Sequence, residues 1–370
     1  MNDINSIDIN NFVNKIFPDM CPGHVYQPAI MAAVNRIIVL GDIHGDYKLA
    51  IKMLSIANVI KIVGKQILWI GGSTYVVQVG DQVDRCRPIG NMLCNNPATT
   101  YNDEASDILI LKLLTDLHKQ AMQSGGAVIS LLGNHEILNA LGQMTYVSHM
   151  GTKEFENYKD MNKPGIIFKD GSEARAYAFS PGNEYGKFLG CTRYPAIIIG
   201  SNLFVHAGFV DGLIEEIGLN GIKDIETINV AIRMWLIGLL KKKYIKTIIK
   251  SSKNSIFWTR ILGNIPPNVN LNNPICIDHI GKILKMFNIG HIFVGHTPQS
   301  FTYSDDINST CSNKVWRVDN GSSSAFHGFD RDFISSGKIN HSRRTQILEI
   351  LNDNEFNICD ETGCKKSIKH

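Results

Sequence analysis

A chain of 370 residues that is 44% hydrophobic and 19% charged is composed like a globular protein with a sizeable core, in one large α/β domain or about two smaller ones. Lys+Arg 37 against Asp+Glu 34 leaves a net charge of +3, too balanced for nucleic acid or an anionic membrane to be the main partner. No apolar run approaches the roughly 20 residues of a membrane span. The N-terminus carries Asp3 and Asp8 without the apolar core of a signal peptide, so a cytoplasmic location is expected.

Residues 1–35 are polar and contain Pro18, Pro22 and Pro28, which reads as a lead-in that is poorly ordered or wraps the surface. Arg36-Ile37-Ile38-Val39-Leu40 is too short for a helix and rich in β-branched residues, hence a strand. The loop Gly41 to Asp46 follows, then an amphipathic helix from Tyr47 to about Ile60 with Asp46 placed as its N-cap. Ile67 to Ile70, Gly71-Gly72-Ser73 and Thr74 to Val79 read as a hairpin whose second strand runs into Gly80-Asp81-Gln82-Val83-Asp84-Arg85. A long helix from Glu104 to about Gln123 stops at Ser124-Gly125-Gly126, and the strand Ala127 to Leu132 ends at Gly133. Between about Gly142 and Gly190 the pattern becomes irregular and aromatic, as in a helical cap inserted over a sheet edge. Strands then recur at Ala196–Ile199, Leu203–Val205, His291–Val294, Val315–Val318 and Thr345–Leu351, leaving 353–370 as a tail. Helical patterns cover roughly Ile225 to Lys250 and Ile277 to Asn288, with Lys241-Lys242-Lys243 on a solvated face. Strands alternating with helices imply an α/β fold on a largely parallel or mixed sheet.

The cysteines, Cys21, Cys86, Cys94, Cys191, Cys276, Cys311, Cys359 and Cys364, form no CxxC pair and are scattered along the chain. Free thiols are expected rather than a disulfide framework or zinc ribbon, although Cys359 and Cys364 are close enough to pair under oxidising conditions.

Asp42 and His44, Asp81, Asn134, His206 and His296 each lie at the carboxyl end of an apolar run. Mixed carboxylate, amide and imidazole donors suit manganese, iron or zinc better than magnesium or calcium alone. The set exceeds the needs of one tetrahedral ion, so two ions sharing a carboxylate is the natural arithmetic. Asp46 reads as a helix cap rather than a ligand, and Glu136 as a carboxylate suited to a helix start.

The ordered set GDIHGD, GDQVDR, GNHE, HAG and GHT, spread from Arg36 to about Asn320, resembles the signature of the phosphoprotein phosphatases among the calcineurin-like metallophosphoesterases. Val77–Gln82, Gly133–Ala140, Trp258-Thr259-Arg260, Gly295–Gln299 and Val315–Asp319 resemble the Shewanella-like branch. The resemblance implies a β-sandwich of mixed sheets flanked by helices, a domain over 36–352, and a cap at about 142–190. It implies one metal on Asp42, His44 and Asp81, and a second on Asp81, Asn134, His206 and His296. His135 would be the general acid, with Asp84 orienting it and favouring its charged form. Arg85, Asn134 and Arg260 would hold the substrate phosphate. The implied reaction is hydrolysis of a phosphoprotein or phosphopeptide, on Ser, Thr or Tyr, by a hydroxide bridging two divalent ions. Competing readings are a dinucleoside polyphosphate hydrolase and a catalytically silent binding protein on the same fold. One departure stands out: Cys86 occupies the place of a usual glycine, where packing is the simpler reading and an oxidation-sensitive thiol the sharper one.

Overall fold

Strand Arg36–Leu40 shows how the layers are built, because its side chains alternate between two buried environments. Ile37 and Val39 face a core shared with Val77, Ile129, Phe204, Phe293, Trp316 and Ile350, while Ile38 and Leu40 face the helices Tyr47–Ile56 and Asp107–Met122 through Leu49, Met53, Ile110 and Leu114. A strand covered on both sides reads as an unbroken apolar run, which is why these segments lack polar alternation. The other sheet repeats the arrangement. Ile197, Ile199 and Phe204 point into the shared core, and Ile198, Leu203 and Val205 pack toward the helices Lys223–Leu236 and Pro274–Phe287.

The computed structural model describes residues 4–327, 329 and 344–369. One sheet runs edge to edge through Gly363–Lys369, Glu355–Asp360, Ile347–Leu351, Arg36–Leu40, Tyr75–Gln78, Ala127–Leu131 and Arg193–Tyr194. Its partner runs through Ile30–Met31, Ala196–Ile199, Asn202–Val205, His291–Val294, Val315–Arg317 and Asn308–Thr310. Both mix parallel and antiparallel neighbours, and the two together form the expected β-sandwich flanked by helices.

Register decides where the site forms. Leu40 pairs with Gln78 and Gln78 with Ser130, so the loops after these three parallel strands leave the first sheet at one level. Phe293 pairs with Phe204 and with Trp316, so the loops after Val205, Val294 and Arg317 leave the second sheet together. The carboxyl ends of parallel strands are where such sheets place their ligands.

Several expectations are corrected. The helix from Tyr47 ends at Ile56, and Gln66–Trp69 pairs with Ile60–Val63 in a separate two-stranded sheet rather than with Tyr75–Gln78. Gly64, at a φ of +60°, makes the turn that the sequence reading placed at Gly71-Gly72. The first 35 residues are built into the fold where they are described. Phe12 and Phe17 are buried, Arg233 stacks 4.7 Å over the Phe17 ring, and Ile30–Met31 adds a strand beside Ile198–Ile199. Residues read as a tail form two antiparallel strands continuing from Ile347–Leu351. The Lys241 to Lys243 run is exposed as expected, beyond the end of its helix at Leu236. No helix among the described residues is long and apolar enough to cross a membrane.

The cysteines depart most from the sequence reading. They form four disulfides, Cys21–Cys191, Cys86–Cys94, Cys276–Cys311 and Cys359–Cys364, with no free thiol. Only folding brings Cys21 to Cys191 across 170 residues, so spacing gave no sign of the pairing. Non-reducing peptide mapping should recover these four pairs, and titratable thiols in the native protein would contradict them. Replacing Cys21 and Cys191 together by serine should cost about 2–5 kcal/mol in urea unfolding, because the bond anchors the N-terminal helices to the helix Glu184–Thr192.

Candidate active site

The loop after Arg36–Leu40 folds back on the loop after Tyr75–Gln78. The backbone N–H groups of Ile43 and His44 donate to the Asp81 carbonyl at 3.0 and 2.8 Å. His44, Asp81, Asp84 and His296 all take a positive φ, between 49° and 72°, which costs a non-glycine residue energy and is held here by the packing of one loop on another. Glycines precede the ligand positions because the neighbouring loop lies against them. A Cβ on Gly133 would collide with the Asp81 carboxylate, and one on Gly295 with that of Asp42. Glu136 ties two loops together, its carboxylate accepting from Gly133 N at 2.6 Å, Gln82 N at 2.7 Å and Asp81 N at 3.0 Å. It therefore does more than favour a helix start, and burial followed by the nearby Asp81 charge raises its pKa to about 7.

The structure gathers Asp42, His44, Asp81, Asn134, His206 and His296 at one place, all nearly inaccessible to water. Two groups of possible metal ligands, His44, Asp81 and His135, and Asp81, His206 and His296, each have their donor atoms within 4.8 Å of one another. Asp81 belongs to both. Its Oδ2 lies 3.7 Å from His44 Nε2 and 3.4 Å from His206 Nε2. Asp42 Oδ2 is 3.8 Å from the same His44 nitrogen, and Asn134 Oδ1 is 2.9 Å from His206 Nε2. The tautomers suit ligation. His206 Nδ1–H donates to the Val79 carbonyl at 2.9 Å and His44 Nδ1–H to that of Val83 at 3.4 Å, turning each Nε2 inward.

Electrostatics shows carboxylates that need positive charge at this place. Burial opposes charge on Asp81, but His206, His135 and His44 outweigh it and hold the carboxyl well below its usual range. Burial also opposes charge on His206, and Asp81 overrides it, raising the imidazole pKa. Asp42 is pushed well above the usual range by burial, then by Asp319 and Asp81. Oδ1 of Asp42 and Oδ2 of Asp319 are buried with no hydrogen-bond partner. Buried carboxylates left in this condition call for a cation, and the donor set fits the divalent ions expected from sequence.

Beside this cluster His135 Nδ1–H donates to Asp84 Oδ2 at 2.9 Å, leaving Nε2 directed toward Asp81, 3.9 Å away. Asp84 is itself fixed by Asn139 Nδ2 at 2.9 Å and Arg175 Nη2 at 3.2 Å, and Arg175 also reaches Asp107 at 2.7 Å. His44, Asp81, Asn134, His135, Arg260 and His296 line a cavity of about 650 Å³ with Arg87, Tyr146, Trp258, Phe301, Phe326 and Phe329. Arg260 is set at its edge by Nη1 donating to the His296 carbonyl at 3.0 Å.

Arg85, expected as the phosphate clamp, points elsewhere. Its Nη1 donates to Gly45 O at 2.8 Å and Glu104 Oε1 at 2.7 Å, its Nη2 to Asn102 O at 2.9 Å, and it does not line the cavity. The cap expectation is also modified. Segment 142–190 is helical, but among its residues only Tyr146 lines the cavity, while Arg175 braces Asp84 from behind. Asp46 caps its helix through Leu49 N at 3.0 Å, as expected, and its other oxygen takes Ser324 N at 2.9 Å. Sequence reasoning missed Arg87, Asp107, Arg175 and Asp319 as site residues. The acidic Asp319 follows an apolar strand like the other ligand positions and had the same signal; Arg175 and Asp107 had none.

Residues 35–300 match the family profile of the calcineurin-like phosphoesterases. The chain belongs to that family. Among relatives of this phosphoesterase, an uncharacterized mimivirus protein, R398, is 38% identical over 256 residues, which are 65% of this chain and 95% of the relative. Shewanella-like protein phosphatase 2 of Arabidopsis thaliana is 26% identical over 78% of this chain and 72% of its own length. Shewanella-like protein phosphatase 1 of Plasmodium berghei is 28% identical over 78% and 67% respectively. The crystal structure of a cold-active protein-tyrosine phosphatase of a psychrophilic Shewanella shares the fold, with a TM-score of 0.61, 21% identity, and coverage of 92% of this chain and 82% of that one.

Two outcomes follow from the geometry. Manganese at a hundredfold excess over its Kd should stabilise the phosphoesterase by about 2.7 kcal/mol, read as a rise in Tm, and Asp81→Asn should remove most of that rise. Arg175→Met should cost about 3–5 kcal/mol in urea unfolding, because it strands two buried carboxylates; a loss within error of zero would show that Asp84 and Asp107 do not depend on it.

Proposed function

We propose that this phosphoesterase is a metal-dependent phosphoprotein phosphatase that hydrolyses phosphomonoesters. The observation that carries the reading is the sharing of Asp81 between two ligand groups, with the His135–Asp84 pair opening on the same cavity. Asp42, His44 and Asp81 would hold one divalent ion, and Asp81, Asn134, His206 and His296 the other, with manganese, iron or zinc suited to the donors. Bound ions would supply positive charge to the phosphoryl oxygens and lower the pKa of water. Within the protein's own chemistry, His135 donates a proton from Nε2 to the departing oxygen. Asp84 keeps the ring oriented through Nδ1, and Arg260 and Asn134 orient the phosphate from the cavity wall.

The aromatic wall of Tyr146, Trp258, Phe301, Phe326 and Phe329 supports an aromatic leaving group, and so favours phosphotyrosine over phosphoserine or phosphothreonine. The same rings would also accept a nucleobase, which keeps diadenosine tetraphosphate as the comparison substrate. The four disulfides favour maturation in an oxidising compartment over the reducing cytosol expected from sequence.

A panel of phosphoserine, phosphothreonine and phosphotyrosine peptides beside diadenosine tetraphosphate, each with manganese, iron and zinc, tests the reading. Phosphotyrosine peptides should give the highest kcat/KM. His135→Asn should lower kcat about 10²–10⁴-fold on alkyl phosphates and less on p-nitrophenyl phosphate, whose leaving group needs no proton. Wild-type rates in Asp42→Asn and Asp81→Asn on an aryl phosphate, or in His135→Asn on an alkyl phosphate, would defeat the mechanism. Preference for the dinucleotide would replace the substrate class.

A further inference from the structure

Arg85 and Arg87 stand two residues apart in a stretch without regular structure, and they have different surroundings. The Arg85 guanidinium is engaged by Glu104 and by the carbonyls of Gly45 and Asn102. That of Arg87 lies in the cavity wall beside His44, Asp81, Asn134 and His135. We propose that Arg87 is the arginine that binds the substrate's phosphoryl oxygens, with Arg260 as its counterpart on the same cavity. The proposal rests on the reading of this cavity as a phosphate site.

Three observations carry it. Arg87 is held in place without being neutralised: Nη1 donates to the carbonyls of Asp84 at 3.0 Å and Cys86 at 2.8 Å, and no carboxylate among the described residues lies within 4.0 Å of its guanidinium nitrogens. The guanidinium also lies near two aromatic faces, its Cζ 5.0 Å from the Phe326 ring centre and 5.6 Å from that of Tyr146, so its orientation is restricted while its charge is kept. Finally, Nη2 donates to His44 Nε2 at 2.8 Å. That lone pair is the one a divalent ion on His44 would take, so metal binding and this hydrogen bond exclude each other. Loading the site therefore frees an N–H of a positioned guanidinium next to the ligands, where a phosphate oxygen can accept it. Arg85 has no such donor to release toward the cavity. The Cys86–Cys94 disulfide limits how far the loop carrying Arg87 can move.

The test is calorimetric titration of inorganic phosphate into the manganese-loaded full chain, for wild type, Arg87→Ala, Arg87→Lys and Arg85→Ala. Arg87→Ala should raise the phosphate Kd about tenfold or more, the size of one lost charged contact. Arg87→Lys should recover part of the affinity, since it restores the charge but not the fork. Arg85→Ala should keep the wild-type phosphate Kd while lowering Tm through its lost contacts to Glu104 and Gly45. A second titration, of manganese without phosphate, should show Arg87→Ala binding the metal at least as tightly as wild type, because a competitor for His44 has gone. Unchanged phosphate affinity in Arg87→Ala, or the loss appearing in Arg85→Ala instead, overturns the assignment and leaves the phosphatase reading intact. A wild-type protein that binds no phosphate overturns both.

Discussion

Asp81 lies where two groups of imidazoles meet, and a carboxylate 2% exposed is stable only when its surroundings supply positive charge and hydrogen bonds. Much of the neighbourhood can be derived from that requirement. Its backbone N–H is accepted by Glu136, its carbonyl accepts from Ile43 and His44, and its Oδ1 accepts from His135 N at 3.0 Å. Those bonds join the loops after three neighbouring strands into one unit. Moving Asp81 would disturb His44, His135 and Gly133 at once, so the ligand geometry and the packing of the loops are the same fact.

The strained backbone belongs to this arrangement. Left-handed conformations at His44, Asp81, Asp84 and His296 would relax in an isolated loop. Here hydrogen bonds from other segments hold them, and the glycines at 133 and 295 leave room for the Asp81 and Asp42 carboxylates. The strain buries a set of donors at fixed positions before any ligand arrives, which is the condition for strong binding without reorganisation.

Much of this was legible in sequence because short-range grammar and function coincide. An apolar run, a glycine and a carboxylate or histidine state both where a strand ends and what it presents, and the side chains of Asp42, His44, Asp81, Asn134, His206 and His296 are gathered at one place. What was not legible depends on distant pairs. Arg175 lies 91 residues from Asp84, and nothing local marks it as the group that compensates a buried carboxylate. The N-terminal segment looked like a loose lead-in because its few apolar residues, Phe12 and Phe17 among them, find their partners only around Arg233 and Cys191. The pairs Cys21–Cys191 and Cys276–Cys311 are hidden for the same reason, since 170 and 35 residues separate their sulfur atoms along the chain, whereas Cys359–Cys364, five residues apart, was open to sequence reading.

The segment from Asp84 to Arg87 shows how far such grammar reaches. A motif gives the spacing from Asp81 to Asp84, and the carboxylate duly meets His135. Beyond Asp84, at a φ of 72°, the direction of the chain is set by its next anchor, and here a cysteine that pairs with Cys94 stands directly after the first arginine. Cys86 N also donates to the Tyr146 carbonyl at 3.1 Å, so the same residue fixes an aromatic wall of the cavity and the start of the loop that carries Arg87. A glycine at this position would supply neither a covalent tether nor a side chain, and would leave the backbone free to turn either arginine inward. Cys86 is thus anchored twice, by its sulfur and by its backbone, directly between the arginine that turns away from the cavity and the one that lines it.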